Sequence, residues 1–369
     1  MTAKRIVIAG LGDSGVLTAI RLARHGEIIG ISAKPALVSG QELGLRLACP
    51  DQWARDYWVA FDRFRRLDPV TTLHATLTGI DLTERAVFIR GADGSTSSVT
   101  YDALVISTGV SNGFWRRPTL QSAAEIAAEL RADHARLATA QSVIIVGGGA
   151  AAVSSAAHIA RTWPDTRVDL YYPGIVALPR HHRRVWSTVR RRLDDLGVVC
   201  HQGHRARVPE GYGCDQITSD PVEWSTGQPA ARADAVIWAI GRVRPNTDWL
   251  PSELLDDDGF VCVTPDLRVP GHPGVFAIGD VAATDALRSS ARNRADGLLA
   301  RNIRADFAGR RLRAYRPAKK RWGSVLGEQP DGLEVFAPTG HRVRFPAFAV
   351  RTVLKPWIVR RGIYRGVRT

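Results

Sequence analysis

The chain has 369 residues and a formal net charge of +14, from 50 Lys or Arg against 36 Asp or Glu. This length predicts two or three domains with ample buried core. No uninterrupted apolar run approaches the roughly 18 residues that a membrane-spanning helix needs. Residues 1–5 lead directly into a predicted strand and leave no space for a signal peptide. We therefore expect a globular, cytoplasmic protein.

The positive charge is concentrated near the C-terminus. Residues 310–369 contain fifteen Lys or Arg and three acidic residues, a local charge of +12. A basic balance is typical of proteins that bind nucleic acid, anionic membranes or acidic ligands. Because the excess is local, we expect one basic surface on a small C-terminal module, and we do not expect nucleic acid as the partner.

A glycine-rich turn, which we call the first finger, follows a short apolar run at residues 5–9. It reads Gly10-Leu11-Gly12-Asp13-Ser14-Gly15 and precedes a predicted helix over 15–25 and a strand over 27–32. Glycines at these positions allow positive φ and let a pyrophosphate approach the backbone N–H groups at the helix N-terminus. The pattern predicts a βαβ dinucleotide-binding unit.

The next segment predicts strands rather than helices. Short strands are expected over 77–82, 86–90 and 98–100, as a β-wing before a further parallel strand over 103–107. That strand ends in Ser107-Thr108-Gly109, and a helix is expected over 122–137.

A second finger, Gly147-Gly148-Gly149-Ala150-Ala151-Ala152, follows an apolar strand over 143–146. A strand over 167–172, a helix over 185–196, a strand over 198–200, a small β region over 206–218 and a strand over 235–239 are predicted after it. The order of elements repeats that of the first unit. It therefore predicts a duplicated nucleotide-binding fold.

The segment Phe276-Ala277-Ile278-Gly279-Asp280 is a late apolar strand that needs a sheet to join and is followed by a predicted helix over 285–307. The chain is thus expected to return to its first domain. The predicted fold class is α/β, with two Rossmann-like dinucleotide-binding domains, the first discontinuous and the second inserted. The predicted bounds are 1–115 with 241–309, then 116–240, and a basic C-terminal module at 310–369.

These motifs, together with Ala239-Ile240-Gly241-Arg242 and Pro245-Asn246, resemble the two-dinucleotide-binding-domain flavoproteins of the pyridine nucleotide-disulfide oxidoreductase type. Within that group the chain is similar to ferroptosis-suppressor and apoptosis-inducing-factor-like quinone reductases and to type II NADH dehydrogenases. The resemblance implies FAD in the first domain, NADH or NADPH in the second, and a C-terminal part that shapes the acceptor site or contacts a membrane.

The resemblance also implies which residues bind each cofactor. For FAD they are Gly10, Gly12, Asp13, Ser14, Gly15, Ser32, Lys34, Thr108, Gly109, Gly279 and Asp280. For NAD(P)H they are Gly147, Gly149, Ala150, Ala152, Tyr172 and Gly241. Asp280 would accept a hydrogen bond from a ribityl hydroxyl, and the following helix would point its positive N-terminus at the flavin N1–O2 edge.

Two positions depart from the family pattern. Ser32, with Lys34 after it, stands where an acidic residue would hold the adenosine ribose of FAD. Tyr172 stands at the corresponding position in the second unit, and residues 180–183 (Arg-His-His-Arg) lie close by in sequence. Without a carboxylate a 2′-phosphate is not repelled, so NADPH is at least as plausible as NADH.

The cysteines do not predict redox chemistry of their own. Cys49, Cys200, Cys214 and Cys262 include no C-x-x-C pair. The set Cys200, His201, His204 and Cys214 has no zinc-ligand spacing, and we expect no metal site. We interpret Cys49 as a structural thiol rather than the reactive cysteine of a coenzyme A disulfide reductase.

The tail from Phe345 to Thr369 alternates apolar residues with arginines. It predicts either an amphipathic segment on the inner face of the cell membrane or one that packs on the FAD domain or on a second subunit of a homodimer. Pro346 and Pro356 argue against a single long helix.

The sequence thus predicts an FAD-dependent NAD(P)H oxidoreductase that passes electrons from reduced flavin to a quinone-like small molecule. Two alternatives stay open. One is a reductase of a ferredoxin-like carrier that docks on the basic module. The other is a nucleotide-binding sensor with little turnover.

Overall fold

Two parallel β-sheets form the framework of the fold, as seen in a computed structural model that describes residues 3–38, 43–111, 118–241, 243–284, 295–316 and 322–368. The strands are β1 (Arg5–Ala9), β2 (Glu27–Ser32), β3 (Ala36–Val38), β4 (Trp58–Ala60), β5 (Val70–Asp81), β6 (Ala86–Gly91), β7 (Thr96–Thr100), β8 (Ala103–Ile106), β9 (Val110–Ser111), β10 (Ser142–Val146), β11 (Arg167–Tyr171), β12 (Val199–His201), β13 (Ala235–Trp238), β14 (Arg244–Pro245), β15 (Val275–Ala277), β16 (Glu328–Gln329), β17 (Gly332–Phe336) and β18 (Arg342–Pro346). The helices are α1 (Asp13–Leu22), α2 (Leu43–Ala48), α3 (Pro50–Tyr57), α4 (Ala123–Ala138), α5 (Ala150–Thr162), α6 (Arg183–Asp195), α7 (Ala295–Phe307) and α8 (Ala347–Ala349).

The first sheet has seven strands in the order β15-β8-β1-β2-β5-β6-β7. Strands β15, β8, β1, β2 and β5 pair in parallel, and β5, β6 and β7 pair antiparallel. The late strand β15 therefore joins the sheet of the first finger, as predicted. The predicted β-wing is an extension of this sheet, because β5 begins at Val70 and its first half pairs with β2 before its second half pairs with β6.

The second sheet has four parallel strands in the order β12-β11-β10-β13. Helix α5 packs its buried alanines and Ile159 on one face. The other face is covered by the loop segment after β12, which forms single bridges between Ala206 and Trp224 and between Val222 and Ala231. Both sheets thus repeat the strand, finger, helix and strand order, which confirms the predicted α/β class with two Rossmann-like units.

The chain passes from the first unit to the second and later returns, and these two crossings run side by side. Strand β9 lies in the outgoing crossing and pairs antiparallel with β14, which lies in the returning crossing. Helix α2 of the first unit also contacts α5 of the second, because Gly44 has no side chain to keep it from the Ser154 carbonyl. The predicted domain bounds remain a prediction, although these crossings lie close to them.

The C-terminal residues form two parts. Strands β16, β17 and β18 make an antiparallel sheet that packs on the second unit, where Arg192 of α6 bonds Asp331 at 2.9 Å and Glu334 at 3.0 Å. The hydroxyl of Ser154 on α5 donates to the Leu326 carbonyl at 3.1 Å. Arg342 and Arg344 of β18 pair with Glu334 at 3.1 Å and Asp331 at 2.8 Å, so the basic surface is partly neutralised by ion pairs within the fold.

The second part is a helical tail that packs on the first unit. Helix α8 continues directly into a π-helix, Val350–Ile363, and together they form what we call the tail helix. The expectation that the prolines prevent one continuous helix is wrong. Pro346 lies before the first turn, where its missing N–H is harmless, and the helix continues through Pro356 with the loss of one donor.

The structure gives no candidate for a membrane-spanning helix within the described ranges. Helix α7 confirms the later part of the helix predicted over 285–307. The earlier part, at 285–294, lies outside the described residues. The proposed direction of that N-terminus toward a flavin therefore stays a prediction.

Candidate functional site

A cavity of about 420 Å³ lies at the carboxyl edge of the first sheet. It is bounded by the first finger, the ends of β2 and β8, the middle of β5, and the turn that follows β15. Ten of the residues predicted to hold FAD line it together: Gly10, Gly12, Asp13, Ser14, Ser32, Lys34, Thr108, Gly109, Gly279 and Asp280. The sheet brings these distant segments to one edge because its parallel strands β1, β2, β8 and β15 all end there.

Two glycines of the first finger are required by the packing of the turn itself. Gly10 has φ of +103°, and a Cβ there would lie 2.6 Å from the Ser107 carbonyl oxygen. A Cβ on Gly15 would lie 1.9 Å from the Gly10 oxygen. The Ser107 hydroxyl donates to that same oxygen at 2.7 Å and fixes the turn to β8. Gly10 and Gly15 thus let strand and helix approach each other.

Gly12 differs from Gly10 and Gly15, because the packing of the described residues does not require a glycine at this position. It is the N-cap of α1, with an ordinary φ of −73°. Apart from its own chain neighbours, no atom of the described residues lies within 4 Å of where its Cβ would be. The open space beside it belongs to the cavity, and the unpaired N–H groups of the first helical turn attract anions.

The late Gly-Asp turn meets the first finger directly. Gly279 has φ of +84°, and a Cβ there would lie 2.8 Å from the Ser14 hydroxyl oxygen. Asp280 is buried in a short 3-10 turn at the cavity wall. The Ser14 hydroxyl is buried too, and no hydrogen-bond partner for it is found among the residues that the structure describes. A polar ligand bound beside the two turns would provide a hydrogen-bond partner for this buried hydroxyl.

The other end of the cavity carries a lysine. Ser32 ends β2, is buried, and accepts a hydrogen bond from the Lys34 amide at 3.2 Å. The Lys34 ammonium donates to the Thr119 carbonyl at 2.6 Å and contacts Gln121. Ser32 therefore occupies the position where an acidic residue would hold the adenosine ribose, and the cationic Lys34 follows two residues later.

The Thr108-Gly109 turn is tied to the returning chain. The Thr108 hydroxyl donates to the Asn246 carbonyl at 2.8 Å, and the Asn246 amide donates to the Thr108 carbonyl at 3.0 Å. The Ser111 hydroxyl donates to Asn246 Oδ1 at 2.7 Å. Asn246 thus holds the two crossings together beside the cavity.

The second finger repeats the geometry of the first. Gly147 has φ of +144°, and a Cβ there would lie 2.2 Å from the Ala239 oxygen. Gly149 is the N-cap of α5 and has φ of −91°, and the described residues leave open space where its Cβ would be. Ala150 begins α5, and Ala152, fully buried, occupies the position of Gly15. Gly149 is thus the counterpart of Gly12.

Tyr172 follows β11 at the predicted position, and its ring lies inside the second unit. The ring is 1% exposed and packs edge-on against Trp186 at 5.5 Å, because an aromatic ring is more stable in the α6 interface than in solvent. The predicted role of Tyr172 in nucleotide binding stays a prediction. Gly241, with φ of +70°, and the residues at 180–183 are exposed on the same unit.

All four cysteines are free thiols. Cys49 lies 3.9 Å from the Thr162 hydroxyl, and Cys214 is buried. Burial raises the pKa of the Cys200 thiol to about 11, which leaves it protonated and unreactive at neutral pH. None of these groups is arranged as a redox-active pair.

The neighbouring histidines take part in packing. His201 Nε2 lies 2.7 Å from Asp169 Oδ1, and its ring stacks on Tyr171 at 4.1 Å. His204 meets Tyr171 and Trp224 edge-on, each at 5.0 Å. These contacts hold both histidines against the aromatic cluster of Tyr171 and Trp224.

Several residues that line the cavity were not predicted from the sequence to bind a cofactor. They are residues 75–78 of β5, Asn246, Asp248 and Trp249. The β5 residues have no motif, because their role follows only from the pairing of β5 with β2. Asn246 was noted as part of a family motif, but its hydrogen bonds across the two crossings could not be inferred.

Two βαβ units with glycine fingers, one inserted into the other, define a protein with two dinucleotide-binding folds. Residues 4–298 match the family described as pyridine nucleotide-disulphide oxidoreductase. The chain belongs to this family of NAD(P)H-dependent flavoprotein oxidoreductases, which confirms the resemblance seen in the sequence.

The chain is similar along most of its length to several characterised oxidoreductases. Oxidoreductase ptaL of Pestalotiopsis fici is 25% identical over 376 residues, covering 96% of each chain. Ferroptosis suppressor protein 1 of Xenopus tropicalis is 24% identical, over 90% of this chain and 88% of that protein. Type II NADH:quinone oxidoreductase Ndh of Mycobacterium tuberculosis is 26% identical, over 83% of this chain and 73% of that protein.

Solved structures share the fold. Reduced Bacillus anthracis CoADR-RHD superposes with a TM-score of 0.68 at 18% identity, over 91% of this chain and 61% of that one. The ferredoxin reductase for the CYP199A2 system of Rhodopseudomonas palustris superposes with a TM-score of 0.66 at 19% identity, over 90% and 88%. At this identity the likeness shows the fold alone.

Proposed function

We propose that the cavity at the carboxyl edge of the first sheet binds FAD and that the second finger binds NADH or NADPH. The cavity fits the first cofactor in three ways. Gly12 leaves open space at the positive end of α1 for a pyrophosphate. Ser14 has a buried hydroxyl, and Asp280 places a buried carboxylate in the neighbouring turn, which meets the first finger directly. When bound, the flavin supplies the hydride chemistry, so the side chains have only to place it and exclude water.

We further propose that the reduced protein passes its electrons to a quinone-like small molecule. The observation that carries this proposal is the state of the thiols: all four are free, and Cys200 is held protonated. The sequence also contains no C-x-x-C pair of the kind that carries a disulfide relay. Quinone or ferroptosis-suppressor activity is named for relatives that align with most of this chain.

The acceptor is tested by steady-state turnover. We expect NAD(P)H oxidation to be stimulated by a soluble short-chain quinone and to be insensitive to moderate salt. Faster, salt-sensitive reduction of an acidic ferredoxin would favour the carrier alternative, because docking on a basic face is screened by salt.

A cysteine-free variant tests whether any thiol of the protein takes part in electron transfer. Replacement of all four cysteines by Ser or Ala should leave flavin reduction by NAD(P)H within about twofold of wild type, because no thiol takes part. Stopped-flow absorbance measures this step, and circular dichroism checks the fold. Loss of the step in the single variant Cys49→Ser alone would instead support a coenzyme A disulfide reductase.

We propose that the second site accepts NADPH at least as well as NADH. No carboxylate side chain follows β11 at the position of Tyr172, and the exposed Arg180 and Arg183 lie on the loop between β11 and α6 and at the start of α6. A 2′-phosphate is therefore not repelled. Comparison of kcat/KM for the two nucleotides tests this, and a strong preference for NADH contradicts it.

We further propose that the protein binds anionic membrane surfaces through the tail helix. One side of the tail docks on the first unit, and the other exposes Phe348, Val353, Trp357 and Ile358 at 50–69%. Arg351 and Arg361 are exposed among them. Such a face lays its apolar residues among lipid headgroups while each arginine near the surface contributes about 1 kcal/mol. Lipid contact would bring a lipid-soluble quinone to the protein.

The double variant Trp357→Ser, Ile358→Ser tests the lipid-binding face without disturbing the docked side. We expect full-length protein to sediment with phosphatidylserine-containing vesicles at low salt and to be released at high salt. The variant should lose most of this binding. Ile175→Ser is the matched control, because Ile175 is 82% exposed on the second unit. Equal sedimentation of all three proteins would show that the tail helix is not a lipid-binding surface.

A further inference from the structure

A row of arginines lies along the border between α6 and the hairpin of β17 and β18. At the turn of the hairpin, a Cβ on Gly340 would lie 3.0 Å from the Cβ of Arg184, near the start of α6. Toward the other end of the hairpin, Arg192 in the last turn of α6 bonds Asp331 at 2.9 Å and Glu334 at 3.0 Å. The helix therefore runs along the hairpin.

Two arginines of α6 face solvent beside this border. Arg184 and Arg191 are exposed and stand seven residues apart, which is about two helical turns, so they lie on the same side of α6. The side that faces the core is a different one, where Val185 and Val189 are buried. Neither arginine forms an ion pair with any residue that the structure describes. Their charges are therefore available to a partner.

Two arginines of β18 lie on the hairpin side of the border. Arg342 and Arg344 are two residues apart on a strand and so point to the same face. They pair with Glu334 at 3.1 Å and Asp331 at 2.8 Å, yet 53% of each arginine side chain stays exposed. A guanidinium has five N–H donors, so this exposed part can bind a second anion. The set that we call the basic seam consists of Arg184, Arg191, Arg342 and Arg344.

The two elements that form the basic seam carry a net positive charge. Residues 183–195 contain five arginines and two aspartates, a formal charge of +3. Residues 330–346 contain two arginines and two acidic residues, which cancel. Asp194 is paired with Arg190 at 2.7 Å, and the side chain of Glu334 is only 9% exposed. The seam therefore presents mainly positive charge to solvent, and its complement is an anionic surface.

The basic seam continues into the exposed apolar side of the tail helix. Strand β18 ends at Pro346 and α8 begins at Ala347, without an intervening loop. Phe348, which is 69% exposed, follows Arg344 by four residues, so their Cα atoms are at most about 14 Å apart. Arginines and apolar side chains thus lie close together on the surface, the combination that the headgroup region of an anionic bilayer accepts. An acidic protein would complement the arginines alone.

We propose that the basic seam is a second contact with anionic lipid, which places the second unit as well as the tail helix against the bilayer. This inference rests on the proposed function, namely that the protein binds anionic membranes through its tail helix. The tail helix docks on the first unit, whereas α6 belongs to the second. Two contacts with one bilayer strengthen each other, because the first brings the second within reach. Membrane binding then fixes how both units face the bilayer.

The double variant Arg184→Gln, Arg191→Gln tests the basic seam. It removes the two charges that lack an ion-pair partner among the described residues, and glutamine is a good helix former, so α6 should keep its structure. Each arginine near an anionic surface strengthens binding roughly fivefold, so we expect partition onto phosphatidylserine-containing vesicles at low salt to fall roughly 30-fold. Sedimentation of full-length protein over a series of lipid concentrations measures the partition, and the melting temperature checks the fold.

Two further variants separate position from charge. Arg207→Gln, Arg232→Gln is the matched control, because it removes two exposed arginines from the loop segment that covers the opposite face of the second sheet. It should bind vesicles to within about twofold of wild type, since these charges face away from the seam. Arg184→Lys, Arg191→Lys keeps the charge and should bind to within about threefold of wild type. Rescue by lysine is not expected if the arginines only support the fold.

Two results would overturn the inference while wild type binds the vesicles. One is a seam variant that binds them like wild type; if that variant instead loses salt-sensitive reduction of an acidic ferredoxin, the seam docks a protein. The other is an equal loss in the seam variant and the matched control, which would show an effect of net charge alone. Wild-type protein that does not sediment with the vesicles would contradict the proposed membrane binding, and the inference with it, so the wild-type measurement tells the two failures apart.

Discussion

Gly12→Val should abolish FAD binding and leave the protein folded. The backbone at Gly12 has φ of −73°, which valine adopts without strain, and in the part of the chain that the structure describes nothing beyond its chain neighbours lies within 4 Å of the new Cβ. The branched side chain would instead fill the space in which the pyrophosphate must approach the N–H groups of α1. Overpacking of this kind costs about 3 kcal/mol or more, which is roughly a 100-fold loss of affinity.

The measurement is a titration with FAD followed by absorbance, with the melting temperature of the apo protein as the check on folding. Gly15→Val is the informative contrast. Its Cβ would lie 1.9 Å from the Gly10 oxygen, so we expect it to lose stability as well as cofactor. A folded Gly12→Val protein that binds FAD as tightly as wild type would show that the first finger does not hold the pyrophosphate.

Gly149→Val should abolish flavin reduction by NAD(P)H while FAD stays bound. Gly149 occupies the N-cap of α5 with φ of −91° and open space at its Cβ, as Gly12 does at α1. The valine therefore blocks the approach of the nicotinamide dinucleotide to the second finger without disturbing the first. We expect the rate of flavin reduction at a fixed NADPH concentration to fall by roughly 100-fold or more.

Anaerobic stopped-flow absorbance at the flavin band measures this rate. Dithionite, which needs no nucleotide site, should still bleach the flavin of the variant at the wild-type rate. The two glycine variants serve as controls for each other, because each should lose one cofactor and keep the other. Reduction of Gly149→Val by NADPH at the wild-type rate would place the nucleotide elsewhere.

The two fingers could be predicted from the sequence because the positive φ that their first glycines adopt is a local requirement. Gly10 and Gly147 have positive φ, and the sequence shows this need as short glycine clusters after apolar runs. The close approach of Gly10 to Ser107 and of Gly147 to Ala239 joins distant residues and could not be predicted in this way. The place of Gly279 and Asp280 could be predicted too. A parallel strand that ends in Gly-Asp has to join a sheet, and joining the first sheet brings its end to the first finger.

The parts that could not be predicted depend on contacts between distant residues. The pairing of β2 with β5 places residues 75–78 at the cavity, yet they carry no motif. Tyr172 occupies the expected position, but its orientation is decided by its packing against Trp186 on α6. The hydrogen bond that the Tyr364 hydroxyl donates to Asp13 at 2.6 Å follows from how the tail docks, and two prolines in the tail suggested that no continuous helix would form.

The absorbance spectrum of the purified protein, recorded with FAD before and after anaerobic addition of NADPH or NADH, tests the central claim most directly. We predict flavin bands that stay with the protein through gel filtration and bleach on addition of the nucleotide. Protein that remains colourless after incubation with FAD would contradict the proposed cofactor. Protein that binds FAD but is not bleached by either nucleotide would contradict the proposed oxidoreductase activity and favour a nucleotide-binding sensor.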